Sequence, residues 1–275
     1  MAILGYEYGF KVMSETPSHD DIVKLIIEKG DKSTHQFEEN ILAVYSQPEN
    51  IRAKPDHVGT AFFINIKHSI YLVTACHVIK NSVEMGSTLF LNKKGRCFTL
   101  GELTANNETP IFCTEKDLFI IRAGGVSSGI DAMVCSIFDR VDIPDVCVSI
   151  GFPNSKNKKG ISPKSKAGKL VALKVHLYNI SAKGEKINHP ESPHFFYKWG
   201  EKVSLSEELV EKNSIGLRGM SGAPCFYVPI TYENILNAEN LAGETSIAGI
   251  LIEHKDEVIA FTRASEILNL ISGRA

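Results

Sequence analysis

From about residue 38 onward the chain is a succession of short apolar runs rich in Val, Ile, Phe and Tyr, broken at near-regular intervals by Gly, Pro, Asn and Asp. That spacing is too tight for helices and predicts an all-β sandwich or pair of barrels. Candidate strands are Ile41 to Ser46, Val58 to Ile66, Ile70 to Thr74, Ser87 to Leu91, Leu118 to Ile121, Val146 to Ile150, Leu170 to Tyr178, Ala223 to Val228, Ser246 to Ile252 and Val258 to Phe261. Ala264 to Ile271 reads as a closing helix. Residues 1–37 read differently: Ser18 is placed to cap a helix through Ile22 to Lys29, and Gly30 is placed to stop it. Residues 181–214 are polar and read as long loops with about one strand, and no internal repeat is visible.

Composition narrows the partners. The 275 residues carry 43% hydrophobic and 23% charged side chains, enough apolar material for a buried core. A net charge of −2 gives no electrostatic reason to expect nucleic acid or an anionic membrane surface. No apolar run approaches a spanning helix, and Met1 to Glu7 lacks the basic head and long apolar stretch of a secretory signal. Cys76, Cys97, Cys113, Cys135, Cys147 and Cys225 are dispersed, with neither a C-x-x-C pair nor zinc-ligand spacing. Free thiols and a cytoplasmic location are the expectation, with no metal and no cofactor. The basic stretch Lys156 to Lys169 reads as a solvated loop.

Three segments carry chemistry. In Tyr71-Leu72-Val73-Thr74-Ala75-Cys76-His77 a histidine follows an apolar strand at its boundary with a turn. Forty residues later Asp117 directly precedes the apolar run Leu118 to Ile121. In Gly216-Leu217-Arg218-Gly219-Met220-Ser221-Gly222-Ala223-Pro224 a serine sits between glycines that permit a tight loop. Such a loop can expose the hydroxyl while aiming backbone N–H groups at one point, as an oxyanion hole requires. Each residue alone has a plain structural reading; the set of three, in this order, does not.

Together these segments resemble the trypsin-like, chymotrypsin-fold serine peptidases of the PA clan, in particular bacterial members with T-A-x-H and G-x-S-G-x-P motifs, over roughly residues 40–265. Gly151-Phe152-Pro153 after a strand suits the same likeness. The order His, Asp, Ser differs from that of α/β-hydrolases and subtilisins. The resemblance implies two antiparallel six-stranded β-barrels with the active site in the cleft between them, an N-terminal helical extension (1–37), a first barrel (38–130) holding His77 and Asp117, and a second barrel (131–275) holding Ser221. It further implies His77, Asp117 and Ser221 as a catalytic triad acting on a polypeptide, with the Gly219 and Ser221 N–H groups as the oxyanion hole.

The chain also departs from that family. Met220 stands where digestive members place the aspartate that pairs with a freed N-terminus, so activation by that salt bridge is not expected. The oxyanion loop is then preformed, or ordered by substrate or an activating protein. Ile215, six residues before Ser221, replaces the acid of a trypsin-type pocket and implies small or apolar substrate side chains. Ile252, Glu253 and His254 lie on the run that pairs with substrate backbone in relatives, with Ile252 where many have a small hydroxyl residue. Cys76 has no upstream cysteine for the bridge seen in secreted members. Two readings stay open: an active, regulated intracellular endopeptidase, and a catalytically silent trypsin-like domain that binds peptides or proteins.

Overall fold

The computed structural model describes residues 19–50, 53–93, 96–103, 108–124, 131–140, 142–157, 170–178, 193–198, 202–203, 212–213, 216–230, 243–255 and 258–273. Ile215 falls outside these residues, as do Ser18 and most of the basic stretch Lys156 to Lys169.

The first sheet is built from β1 (Ile41–Gln47), β2 (Asp56–Ile66), β3 (Ser69–Ala75), β4 (Thr88–Lys93), β5 (Arg96–Thr99), β6 (Ile111–Cys113) and β7 (Leu118–Arg122). Its strands run in the order β5-β4-β1-β2-β3-β7-β6, and every pairing is antiparallel. The second sheet uses β8 (Ser136–Ile137), β9 (Val146–Gly151), β10 (Leu173–Tyr178), β11 (His194–Lys198), β14 (Pro224–Tyr227), β15 (Ser246–Lys255) and β16 (Val258–Arg263), ordered β10-β9-β14-β15-β16-β11, with β8 beside β15 in parallel. A separate pair joins β12 (Lys202–Val203) to β13 (Lys212–Asn213). The expected mostly-β architecture of two antiparallel sheets is present, with seven strands in each sheet among the described residues.

The near-continuous apolar strands follow from burial on both faces. Side chains alternate across a strand, so an apolar run needs two apolar environments. In β2, Ala61 and Phe63 enter a cluster enclosed by the first sheet, while Phe62 and Ile64 enter a central cluster shared with the second sheet. Strand β7 divides likewise: Phe119 and Ile121 face the first cluster, Leu118 and Ile120 the central one. A third cluster within the second sheet contains Phe195, Tyr197, Phe261, Cys225 and Met220. Each fully buried Phe or Leu contributes roughly 2–3 kcal/mol of transfer free energy. The central cluster therefore packs the two sheets against each other.

Helix α1 (His19–Thr34) runs into a 3₁₀ turn at His35–Asn40. Gly30 does not stop the helix as the sequence predicts; it lies inside it. A Cβ there would sit 2.9 Å from Val148 Cγ2 and 3.3 Å from His176 Cδ2, so the glycine allows close docking on β9 and β10. The docking is reinforced where Lys174 Nζ meets Glu38 Oε1 at 2.8 Å, His176 Nε2 meets Asp31 Oδ1 at 3.1 Å, and Phe37 stacks on Phe226 at 4.9 Å. A second departure concerns His77: no plain turn follows β3, because helix α2 (Cys76–Glu84) starts directly at its end. Short turns α3 (Leu100–Leu103) and α4 (Asn154–Asn157) and the closing helix α5 (Ser265–Ser272) complete the described elements. Among the described residues no helix is long and apolar enough to cross a membrane.

Candidate active site

His77 occupies the first turn of α2, where backbone N–H groups have no partner within the helix. Asp117 supplies one from across the sheet. Its Oδ1 accepts the His77 N–H at 2.9 Å, its backbone carbonyl accepts the Cys76 N–H at 3.0 Å, and its Oδ2 meets His77 Nδ1 at 2.6 Å. One carboxylate thus caps a helix and holds an imidazole. Doing both requires a left-handed backbone at Asp117, φ +48°, which aspartate tolerates better than most residues. The turn before it is anchored to the second sheet: Thr262 Oγ1 donates to the Lys116 carbonyl at 2.6 Å, and Lys116 Nζ pairs with Glu266 on α5.

Ser221 lies on the loop entering β14. Gly219 and Gly222 have φ of +93° and +90°, so the predicted need for glycine is met at both positions. At Gly222 there is no room either: a Cβ would lie 2.0 Å from the Thr60 carbonyl oxygen and 2.2 Å from Thr74 Oγ1. Backbone bonds then lock the loop against both sheets. The Thr60 N–H donates to the Ser221 carbonyl at 2.8 Å, and the Gly222 N–H to Leu251 at 2.7 Å. Thr60 Oγ1 donates to the Gly219 carbonyl at 3.0 Å and accepts the Phe152 N–H at 3.0 Å, joining β2, the serine loop and the Gly151-Phe152-Pro153 turn.

Among the described residues neither the Gly219 nor the Ser221 N–H donates a hydrogen bond. Two unspent donors beside a half-buried hydroxyl are what an oxyanion requires. Ser221 Oγ donates to the Ile252 carbonyl at 3.4 Å, and no hydrogen bond joins it to the His77 imidazole. The structure therefore brings His77 and Asp117 into contact and places Ser221 on a loop packed against the end of β3, where a Cβ on Gly222 would lie 3.1 Å from the Ala75 nitrogen, with the Ser221 hydroxyl turned toward β15.

The remaining candidates divide. Ile252 is half-buried, and Glu253 and His254 are exposed. Pairing of β15 with β14 ends at Ile250, whereas pairing with β16 continues to Lys255. Met220 is fully buried in the second sheet's apolar cluster, which gives the non-acidic residue a packing role. Cys76, beside His77, is buried; burial and then the Asp117 charge raise its thiol pKa and keep it protonated. All six cysteines are free thiols. Among the described residues no three His, Cys, Asp or Glu side chains converge as a metal site would need.

Sequence reasoning missed Thr60, His57 and Asn154. His57 is 8% exposed, and its Nδ1 meets Asn154 Oδ1 at 2.5 Å. A lone histidine at the start of a strand carries no signal in its neighbours. The only hint for Asn154 is its place directly after Gly151-Phe152-Pro153.

No family model matches the chain, and no curated protein matches it. Solved structures with a similar path include the Rv3671c protease from M. tuberculosis in its active form, at 13% identity, covering 98% of this chain and 93% of that one with a TM-score of 0.47. A serine-to-alanine mutant of Rv3671c from M. tuberculosis H37Rv, in an inactive form, matches at 10% identity over 94% of each chain with a TM-score of 0.44. A human pathogenic astrovirus serine protease matches at 14% identity over 81% of this chain and 88% of that one, with a TM-score of 0.40. Likeness at this level assigns no role to any residue here; the geometry of the site itself must carry the functional reading.

Proposed function

We propose that the chain is a serine endopeptidase of the trypsin-like kind, with His77, Asp117 and Ser221 as its triad. The observation that carries this reading is the 2.6 Å contact of His77 Nδ1 with Asp117 Oδ2, beside the end of β3 against which packs a loop whose Gly219 and Ser221 N–H groups are unspent among the described residues. Asp117 holds the Nδ1–H tautomer and leaves Nε2 basic. Substrate turns Ser221 Oγ from Ile252 to His77. Oγ attacks the peptide carbonyl, its proton passes to Nε2, and the oxyanion receives the Gly219 and Ser221 N–H bonds. The tetrahedral intermediate collapses with cleavage of the C–N bond, and the proton on Nε2 goes to the leaving amine. Water then attacks the acyl-enzyme by the same route and restores Ser221. Each oxyanion donor in such sites is worth about 3–4 kcal/mol.

The substrate backbone is proposed to add as a strand along Ile252, Glu253 and His254, past the end of β14. Ile215, outside the described residues, is proposed from its place six residues before Ser221 to favour small or apolar substrate side chains. Six free thiols suit an intracellular enzyme, and an activating protein partner is proposed to control it. A fluorophosphonate probe tests the core of the reading. Wild-type protein should label covalently, and Ser221→Ala should not. Absence of wild-type labelling, with and without candidate partners, would sink it.

One observation favours a second reading, a silent peptide-binding domain: Ser221 Oγ is bonded to Ile252 rather than to His77. Resting sites often have loose nucleophile–base geometry that tightens on binding, so the first reading keeps precedence. Peptide binding without labelling or cleavage would favour the second.

A further inference from the structure

Met220 cannot form the salt bridge that orders an oxyanion loop from below, yet the loop is ordered. The contacts around Gly219 show how. The Asn154 N–H donates to the Arg218 carbonyl at 2.7 Å. Carbonyl and N–H point in opposite directions across a trans peptide, so drawing the Arg218 oxygen to Asn154 turns the Gly219 N–H to the other side. There it is free of protein acceptors among the described residues.

Asn154 is itself held in place. Its Oδ1 meets His57 Nδ1 at 2.5 Å, which requires the proton on Nδ1. The imidazole is buried between Tyr45, its cross-strand partner with ring centroids 5.1 Å away, and the serine loop. A Cβ on Gly219 would lie 2.8 Å from His57 Cε1 and Nδ1 and 2.9 Å from Asn154 Oδ1, so the loop rests directly on the His–Asn pair.

This arrangement has a cost. His57 Nε2 is buried with no hydrogen-bond partner. A buried nitrogen left unsatisfied is destabilising, and a phenyl ring in its place would carry no such nitrogen. A residue that breaks a local packing rule in this way marks a place where something other than stability is served.

We infer that His57 and Asn154 are positioning residues that hold the Arg218–Gly219 peptide in the orientation presenting the Gly219 N–H to the oxyanion. The pair belongs to both sheets, since His57 lies on β2 and Asn154 follows β9. It locks the loop through its carbonyl side, in place of a charge beneath Met220. The inference rests on the endopeptidase reading, and it makes the oxyanion site preformed rather than induced.

Two variants test it. His57→Phe removes both nitrogens and keeps the volume; Asn154→Ala removes the acceptor. Labelling by a fluorophosphonate is followed across probe concentrations, with Tm measured in parallel. The expected result is a fall of about 10- to 100-fold in the limiting labelling rate, with the half-saturating concentration within twofold of wild type. The Tm of His57→Phe should stay within a few degrees of wild type, because the lost bond to Asn154 and the removal of the unpartnered Nε2 act in opposite directions; a slowed labelling rate at near-native Tm separates positioning from stability. If wild type labels and both variants label at its rate, the inference is overturned and the endopeptidase reading stands. If wild type does not label, that reading falls, and a crystal structure of Asn154→Ala decides the inference. An Arg218–Gly219 peptide turned over supports it, and an unchanged peptide overturns it. Should Asn154→Ala fail to fold, His57→Phe carries both measurements.

Discussion

The two halves of the site are rigid by different means. The His77–Asp117 corner is held by side chains: one carboxylate caps α2, orients the imidazole and adopts a left-handed backbone to do both. The Ser221 loop is held by its backbone. Its carbonyls and N–H groups bond to Thr60, Leu251 and Asn154, while the serine hydroxyl has one long bond to Ile252. The difference suits the proposed chemistry. The acid–base pair must be in one tautomer before substrate arrives. The nucleophile must be free to turn, while the donors beside it must not move.

Asp117→Asn should have the largest effect. The amide can still accept the His77 N–H and cap the helix, but it presents its own N–H to Nδ1 and favours the wrong tautomer. Labelling should slow on the order of 10⁴-fold. Tm should change little, because asparagine caps helices as well as aspartate does. A large loss of Tm with modest loss of labelling would mean that the corner is mainly structural, and the contrast between the halves would fail.

Gly222→Ala comes next, acting on the backbone-held half. A methyl group 2.0 Å from the Thr60 carbonyl, at a φ of +90°, forces the loop away from β2. A loss of at least about 3 kcal/mol in chemical denaturation is expected, with labelling abolished. Near-normal stability would show that the loop is less fixed than these contacts imply. Thr60→Val is milder. It keeps the shape but leaves the Gly219 carbonyl and the Phe152 N–H without their hydroxyl partner, a cost of about 1–3 kcal/mol. Labelling should slow with it, because Gly219 is displaced. Stability lost without slower labelling would separate Thr60 from the oxyanion site.

The same division explains what was legible beforehand. Strands such as Val58 to Ile66 and Leu118 to Ile121 were readable because burial on both faces leaves an uninterrupted apolar run. Short strands such as Arg96–Thr99 and Ile111–Cys113 were not, because edge strands a few residues long carry too little pattern. Helix α2 was hidden because Val78 and Ile79 continue the apolar run of β3, and nothing between them marks the switch of period. Gly30 was misread because a glycine that admits a neighbour looks, in one dimension, like a glycine that ends a helix. In the site, the glycines of the serine loop could be picked out because local backbone demands restrict the residue type, and Asp117 because it stands forty residues after His77 in the order His, Asp, Ser. Thr60, His57 and Asn154 could not, because their side chains bond to partners 92 to 159 positions away in the chain.

The smallest expected effect is a pH dependence of stability arising outside the His77–Asp117 corner. Burial lowers the pKa of His57, and Asn154 together with the Gly59 backbone offsets this only in part. Burial also lowers that of His176, against the opposing pull of Asp31 and with Lys174 adding to it. Both histidines titrate in the unfolded chain near their ordinary value of about 6.5. Below that pH the unfolded chain takes up protons that the folded protein refuses, so stability falls as pH drops. The loss is complete only below the depressed folded values. Above pH 6.5 both states are neutral at these positions and this contribution is fully present. The slope is at most about 1.4 kcal/mol per pH unit for each histidine. Urea midpoints at pH 7.5, 6.0 and 5.0 should therefore decline, and His57→Phe should flatten the decline while leaving the His176 share. An unchanged slope in that variant would assign the whole dependence to the α1 docking site and leave the serine loop indifferent to pH.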